Sequence, residues 1–203
     1  MAVIYNAELV PSKIELLTAW VAEQPWLDGA DVSSLRALGA YRFDDPDGEV
    51  GIETHLVHSA DGRVLQLPVT YRSAPLPGAQ DALVGTMEHS VLGRRWVYDG
   101  CADPVFVTAL ATAILTGGTQ AALEYEGERR ESTTRVTGSG APGTPVPRIA
   151  EPNPRHGATT TVISAGEVEL VVRRVIDKDV RGAETLTGTW PGHDTPAVLA
   201  VVR

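Results

Sequence analysis

Apolar and polar positions in this chain follow two different periods, and they meet most clearly at Gly93 to Leu115, GRRWVYDGCADPVFVTALATAIL. Trp96, Val97 and Tyr98 alternate as a partly buried strand does, and Asp99-Gly100 breaks the run. Asp103-Pro104 then predicts a helix start, because an Asp side chain accepts from the free amides of a first turn and Pro loses a donor that has no partner there. Phe106, Ala109, Leu110, Ala113 and Ile114 share one helical face, and Gly117-Gly118 suits a left-handed stop. Trp96, Tyr98, Asp99, Asp103 and Pro104 thus mark a structural junction between two units, residues 1–100 and 101–203.

Before the junction, Val3 to Val10 predicts a short strand ended by Pro11. Ser12 stands three residues ahead of Glu15, the spacing of a capping box, and Ile14, Leu17, Trp20 and Val21 form one stripe of the helix that follows. Strands are predicted over Leu35 to Phe43 and Val50 to His58, around a turn at Asp44 to Gly48. Val50, Ile52, Thr54 and Leu56 fall on one face. Ser59 to Gly62 turns the chain into Arg63 to Tyr71, where Leu65, Leu67, Val69 and Tyr71 share a face and Pro68 predicts an edge position or a bulge. Ser73 to Gln80 reads as a surface loop, and Asp81 to Val91 as a strand or an irregular segment. One helix against closely spaced antiparallel strands is an α+β unit, in which short turns disfavour parallel crossovers.

After the junction, Thr119 to Glu126 and Ser132 to Thr137 predict two strands around a polar turn at Gly127 to Glu131. Gly138 to Pro154 is a Gly/Pro-rich loop. Thr159 to Ser164 and Val168 to Ile176 predict a hairpin about Ala165-Gly166-Glu167. From Gly182 no period is visible until Ala197 to Val202, a last strand or a short helix.

Composition changes this picture little. With 203 residues, 43% hydrophobic and 21% charged, the chain can bury a core without staples. Cys101 is the single cysteine, which excludes an internal disulfide and fits a reducing cytoplasm. No stretch approaches the roughly 20 apolar residues of a membrane span, and the N-terminus lacks a basic segment followed by an apolar run. We therefore expect a cytoplasmic protein. A net charge of -9 disfavours nucleic acid and anionic membranes as partners.

Candidate chemistry is sparse. His55 and His58, three apart on a strand, point to opposite faces and cannot grip one metal. His89, His156 and His193 lie in separate segments. Cys101 sits beside Asp99 and Asp103, which raise rather than lower a thiol pKa. Asp44 to Glu49 is acidic without the spacing of a calcium loop. Trp20, Trp26, Trp96 and Trp190 are the residues to consider for stacking on a sugar; three fall in segments that read as core or its margins, and Trp26 and Trp190 are the ones to test. No metal, cofactor or catalytic set is expected.

The order of AVIYNAELVPSKIELLTAW, VTYRSAPLPGAQDALVGT and RRWVYDGCADPVF resembles the N-terminal cap domain of bacterial maltokinases and related aminosugar kinases. The resemblance covers about the first hundred residues and implies a cystatin-like cap, a helix against a curved antiparallel sheet. It further implies that residues 101–203 correspond to the following kinase subdomain, a second antiparallel sheet with one main helix. In that subdomain a small-residue loop meets the ATP phosphates and a lysine on the next strand pairs with them. Here the corresponding positions are Arg155 to Thr161 and Val168 to Arg174, and no lysine is present on that strand. Arg155, Gly157, Thr159, Thr160, Arg173 and Trp190 are accordingly the candidate ligand-binding residues, with Arg173 either near a phosphate or at a solvated strand end. The resemblance also calls for a large lobe carrying a catalytic aspartate and metal ligands, which is not expected within these 203 residues. The expectation is a non-catalytic interaction or regulatory module of maltose, trehalose or glycogen metabolism, with a protein partner or a second copy of itself. The alternatives are a module that binds a nucleotide or sugar phosphate, and a kinase subunit whose catalytic lobe is another chain.

Overall fold

Ser12 opens the first helix as a capping box requires: its hydroxyl accepts from the Glu15 amide at 3.4 Å, and the Glu15 carboxylate accepts from the Ser12 amide at 2.8 Å. That helix, α1 (Lys13–Val21), buries Leu17 and Val21. The computed structural model describes residues 2–4, 7–125, 128–147, 149–176 and 180–203, with 2–4, 125 and 129 as backbone only. Tyr5 and Asn6 of the first expected strand, and Glu126 and Gly127 of the expected strand and turn, lie outside the described residues.

In chain order the strands are β1 (Ala2–Ile4), β2 (Leu9–Val10), β3 (Arg36–Phe43), β4 (Gly51–His58), β5 (Val64–Arg72), β6 (Leu83–His89) and β7 (Gly93–Asp99). Then come α2 (Pro104–Thr116), β8 (Leu123–Tyr125), β9 (Glu128–Arg130), β10 (Arg135–Gly138), β11 (Asn153–His156), β12 (Thr160–Ala165), β13 (Val168–Arg173), β14 (Glu184–Trp190) and β15 (His193–Val202). The first sheet has the order β2-β6-β7-β5-β4-β3 and the second β10-β14-β15-β13-β12-β11. Every pairing in both is antiparallel, which makes the fold α+β.

A third, small sheet departs from expectation. β1 pairs in parallel with β8, so the N-terminal strand joins a segment beyond the junction rather than the sheet of the first hundred residues.

The first sheet uses both faces, and the period of two decides which residue goes where. Leu65, Leu67 and Val69 of β5 turn toward Leu17, Val21 and Trp26, making one core with α1. Ile52 and Leu56 of β4 turn the other way, into a core shared with Phe106, Leu110 and Ile114 of α2 and with Leu170, Leu186 and Leu199 of the second sheet. α2 is apolar nearly all round because it lies between two sheets. None of the described helices is long and apolar enough to cross a membrane.

Pro68 is at neither an edge nor a bulge. β5 is central, and on one side its first half meets the Arg174–Ile176 segment, while β7 pairs only from Val69 onward. Gln66 donates its amide to Arg174 on that side, so Pro68, two residues on, points into the gap between these two neighbours, where a missing N–H costs nothing.

Candidate functional site

At the junction the acids serve the backbone. Asp99 accepts from the Cys101 amide at 3.1 Å and opens a single tight turn, Gly100–Ala102. Asp103 caps α2 by accepting from the Val105 amide at 2.9 Å, and Pro104 takes the first helical position. The Asp103 carboxylate is fully buried, and it also accepts from Thr70 Oγ1 at 2.6 Å and from Arg72 Nε and Nη2 at 2.7 and 2.6 Å. That two-pronged ion pair ties β5 to the start of α2. Tyr98 is buried and its hydroxyl accepts from the Leu76 amide at 2.9 Å, whereas Trp96 is only half-buried. Burial, reinforced by Asp99, pushes the Cys101 thiol far up, so it is no nucleophile.

The candidate ligand residues fall into two places. Arg155, Gly157, Thr159 and Thr160 form the end of the β11–β12 hairpin, and Arg173 pairs with Thr160. Trp190 lies at the tip of a different hairpin, 6% exposed, with the His193 ring stacked on it at 4.5 Å. Arg155 is exposed and directed to Ser164 Oγ at 3.1 Å and Glu169 at 3.9 Å. The Gly157 amide donates to Thr160 across the turn. Arg173 is not a solvated strand end: it is 3% exposed and donates to the Val198 carbonyl at 2.7 Å.

Arg174, which the sequence places only at the end of the candidate strand, is the centre of this corner. It leaves β13, donates its amide to the Thr159 carbonyl at 2.7 Å, and crosses to the first sheet. Its guanidinium is wholly buried, donating to Asp99 Oδ2 at 2.5 Å and to Thr161 Oγ1 at 2.8 Å, with Trp26 beneath at 5.0 Å. Trp26 itself is fully covered and offers no face to a sugar. Beside it Gln66 donates to the Arg173 and Leu199 carbonyls at 2.8 and 3.0 Å and accepts from the Tyr41 hydroxyl at 3.0 Å. His156 shares Thr161 with Arg174, and burial together with that cation lowers its pKa.

A second cluster also escaped the sequence reading. Glu53 faces α1 from β4, almost fully buried, and accepts from Lys13 Nζ at 2.6 Å and from Arg42 at 3.2 Å, with His55 Nε2 at 3.3 Å. Burial alone would raise its pKa, but His55, Lys13 and Arg42 together hold it well below the usual carboxylate range. The same burial and the Glu53 charge push Tyr71 well up. The sequence signal was an acid in an inward slot of an alternating strand, two residues before His55 on the same face. Lys13 and Arg42 line an adjacent cleft of about 580 Å³ between α1, the β3–β4 turn and the β6–β7 tip.

The Asp44 to Glu49 turn is a hairpin in which Asp45 accepts from the amides of Asp47, Glu49 and Val50. Among the described residues no group of three or more His, Cys, Asp or Glu side chains could hold a metal ion. No curated protein matches the chain. A family model of the maltokinase N-terminal cap domain matches residues 20–103, from late α1 to the Asp103 cap of α2. That segment, a helix end with β3 to β7 of the first antiparallel sheet, is similar to the maltokinase N-terminal cap domain.

Proposed function

We propose that this protein is a non-catalytic, cap-bearing interaction module that docks on an enzyme of maltose, trehalose or glycogen metabolism. The observation that carries the reading is how the 155–174 corner uses its charges. This is where the resemblance puts nucleotide phosphates. Phosphoryl transfer needs cations directed at the transferred group. Arg174 is instead committed to Asp99, Arg173 reaches the Val198 carbonyl, and Arg155 faces Glu169. The corner joins two sheets and leaves β13 without a lysine. With these cations committed within the fold, the chain is left to act through its surface.

The test mixes the purified chain with ATP and maltose or glucosamine, then with candidate enzymes of these pathways on a sizing column. The expected result is no sugar-dependent ATP consumption and a stable complex with one enzyme. Sugar-dependent turnover by the chain alone overturns the reading. Turnover only in the presence of a second chain supports the split-kinase alternative in its place.

A further inference from the structure

We propose that the cleft between α1, the β3–β4 turn and the β6–β7 tip binds a small organic oxyanion whose body carries hydrogen-bond donors. This site is separate from the 155–174 corner and does not depend on the docking reading. The cleft holds about 580 Å³, the size of a small-molecule site. Lys13, His89 and Arg95 line it from the side of α1 and β6–β7, and Asp44, Asp45 and Glu49 from the side of the turn.

The cationic side is under-compensated. Arg72, Arg94 and Arg174 each meet a carboxylate of the fold, at 2.6, 2.7 and 2.5 Å. Arg95 meets none among the described residues: its Nη2 donates to the Leu92 carbonyl, and its Nε is shut off from water without a hydrogen-bond partner. Lys13 and Arg42 share the single carboxylate of Glu53. His89 accepts from the amides of Val91 and Leu92 through Nδ1, at 3.2 and 3.1 Å, which puts its proton on Nε2. Burial lowers the pKa of His89, and Arg95 and Lys13, which line the same cleft, lower it further. A guanidinium and an ammonium around one cleft suit a phosphate or carboxylate head.

The other wall specifies the rest of the ligand. Asp45 spends its oxygens on three backbone amides, so it adds charge but few open acceptor positions. Glu49 is exposed and can accept. An anion at both ends would be repelled by this wall, whereas hydroxyls or an ammonium would be held by it. The shared chemistry is an oxyanion head on a donor-rich body, supplied by a phosphorylated polyol or by a zwitterionic amino acid.

Titration calorimetry on the full chain tests this with inorganic phosphate, glucose, glucose 6-phosphate and γ-aminobutyrate. The expected result is saturable binding of glucose 6-phosphate or γ-aminobutyrate, tighter than phosphate or glucose alone, and the preferred probe shows whether the donors are hydroxyls or an ammonium. Arg95→Met should weaken that binding on the order of tenfold or more, as loss of a charged hydrogen bond does, and Arg155→Met should leave it unchanged. Amide shifts on the unaltered protein, read by nuclear magnetic resonance, should cluster at His89, Leu92 and Arg95, which keeps the test independent of variant folding. No saturable binding by any probe, equal binding by Arg95→Met, or shifts confined to the 155–174 corner overturns the proposal.

Discussion

Glu53 is a buried acid whose charge three neighbours defend, and this sets how the protein should respond to acid. Its folded pKa lies below the ordinary 4.5. A lowered carboxylate contributes stability above its unfolded pKa and loses it as pH falls through the folded value. Wild-type protein should therefore exceed Glu53→Gln in stability by about 2 kcal/mol at pH 7, the scale of the charged hydrogen bonds that the half-buried Lys13 and Arg42 lose. The difference should shrink below about pH 4, where wild type also takes up the proton. Urea midpoints of both proteins between pH 3 and 7 check this; a difference independent of pH would mean that Glu53 acts by shape alone. Single residues were legible in the sequence when their partners were near. Ser12 with Glu15, and Asp103 with Pro104, act within one helical turn, so spacing alone reveals them. Asp99 and Arg174 stand 75 residues apart, and Glu53 draws on Lys13, 40 residues away, so no local pattern announces either charge as internal.

Elements follow the same division. β5 was readable because apolar residues fill successive slots on the face toward α1, as in Leu65, Leu67 and Val69. β14 was invisible because its inward slots hold Leu186, Gly188 and Trp190, and the glycine breaks the apolar rhythm. Packing requires that glycine: a Cβ there would lie 2.6 Å from Leu199 Cδ1 and 3.2 Å from the Arg135 carbonyl. The loop from Gly138 to Pro154 was legible as a loop, but part of its role was not. Gly140 donates its amide to the Ile114 carbonyl at 2.9 Å, so the loop start caps the end of α2 beside the left-handed Gly117. A Cβ on Gly140 would sit 1.9 Å from the Leu115 carbonyl oxygen, which is backbone and cannot rotate away. Gly140→Ala should therefore cost about 3 kcal/mol. Gly143→Ala, with φ +86 but open space around it, should cost about 1 kcal/mol. Equal losses in the two variants by urea unfolding would show that the crossing over α2 yields more easily than its geometry implies.

Across the whole molecule, the open question of mechanics is whether the two large sheets stand or fall together. One core contains Ile52 and Leu56 of the first sheet, Phe106 and Leu110 of α2, and Leu170 and Leu186 of the second. The seam adds direction to that apolar contact: Val64 accepts from the Ile176 amide, Gln66 holds the Arg173 and Leu199 carbonyls, and Arg174 reaches Asp99. Because the last of these is buried, its loss is not softened by water. Arg174→Met leaves the Asp99 carboxylate with the Cys101 amide but without its cation, and should cost about 3–5 kcal/mol. Native-state hydrogen exchange tells how that loss is distributed. If the sheets form one cooperative unit, the central amides of β5 and β13 open with the same free energy in wild type, and both fall by the same amount in the variant. Weakening confined to β13, with β5 unchanged, would show instead that the cap-like sheet keeps its stability without the seam, and that the 155–174 corner holds the second sheet in place without stabilising the first.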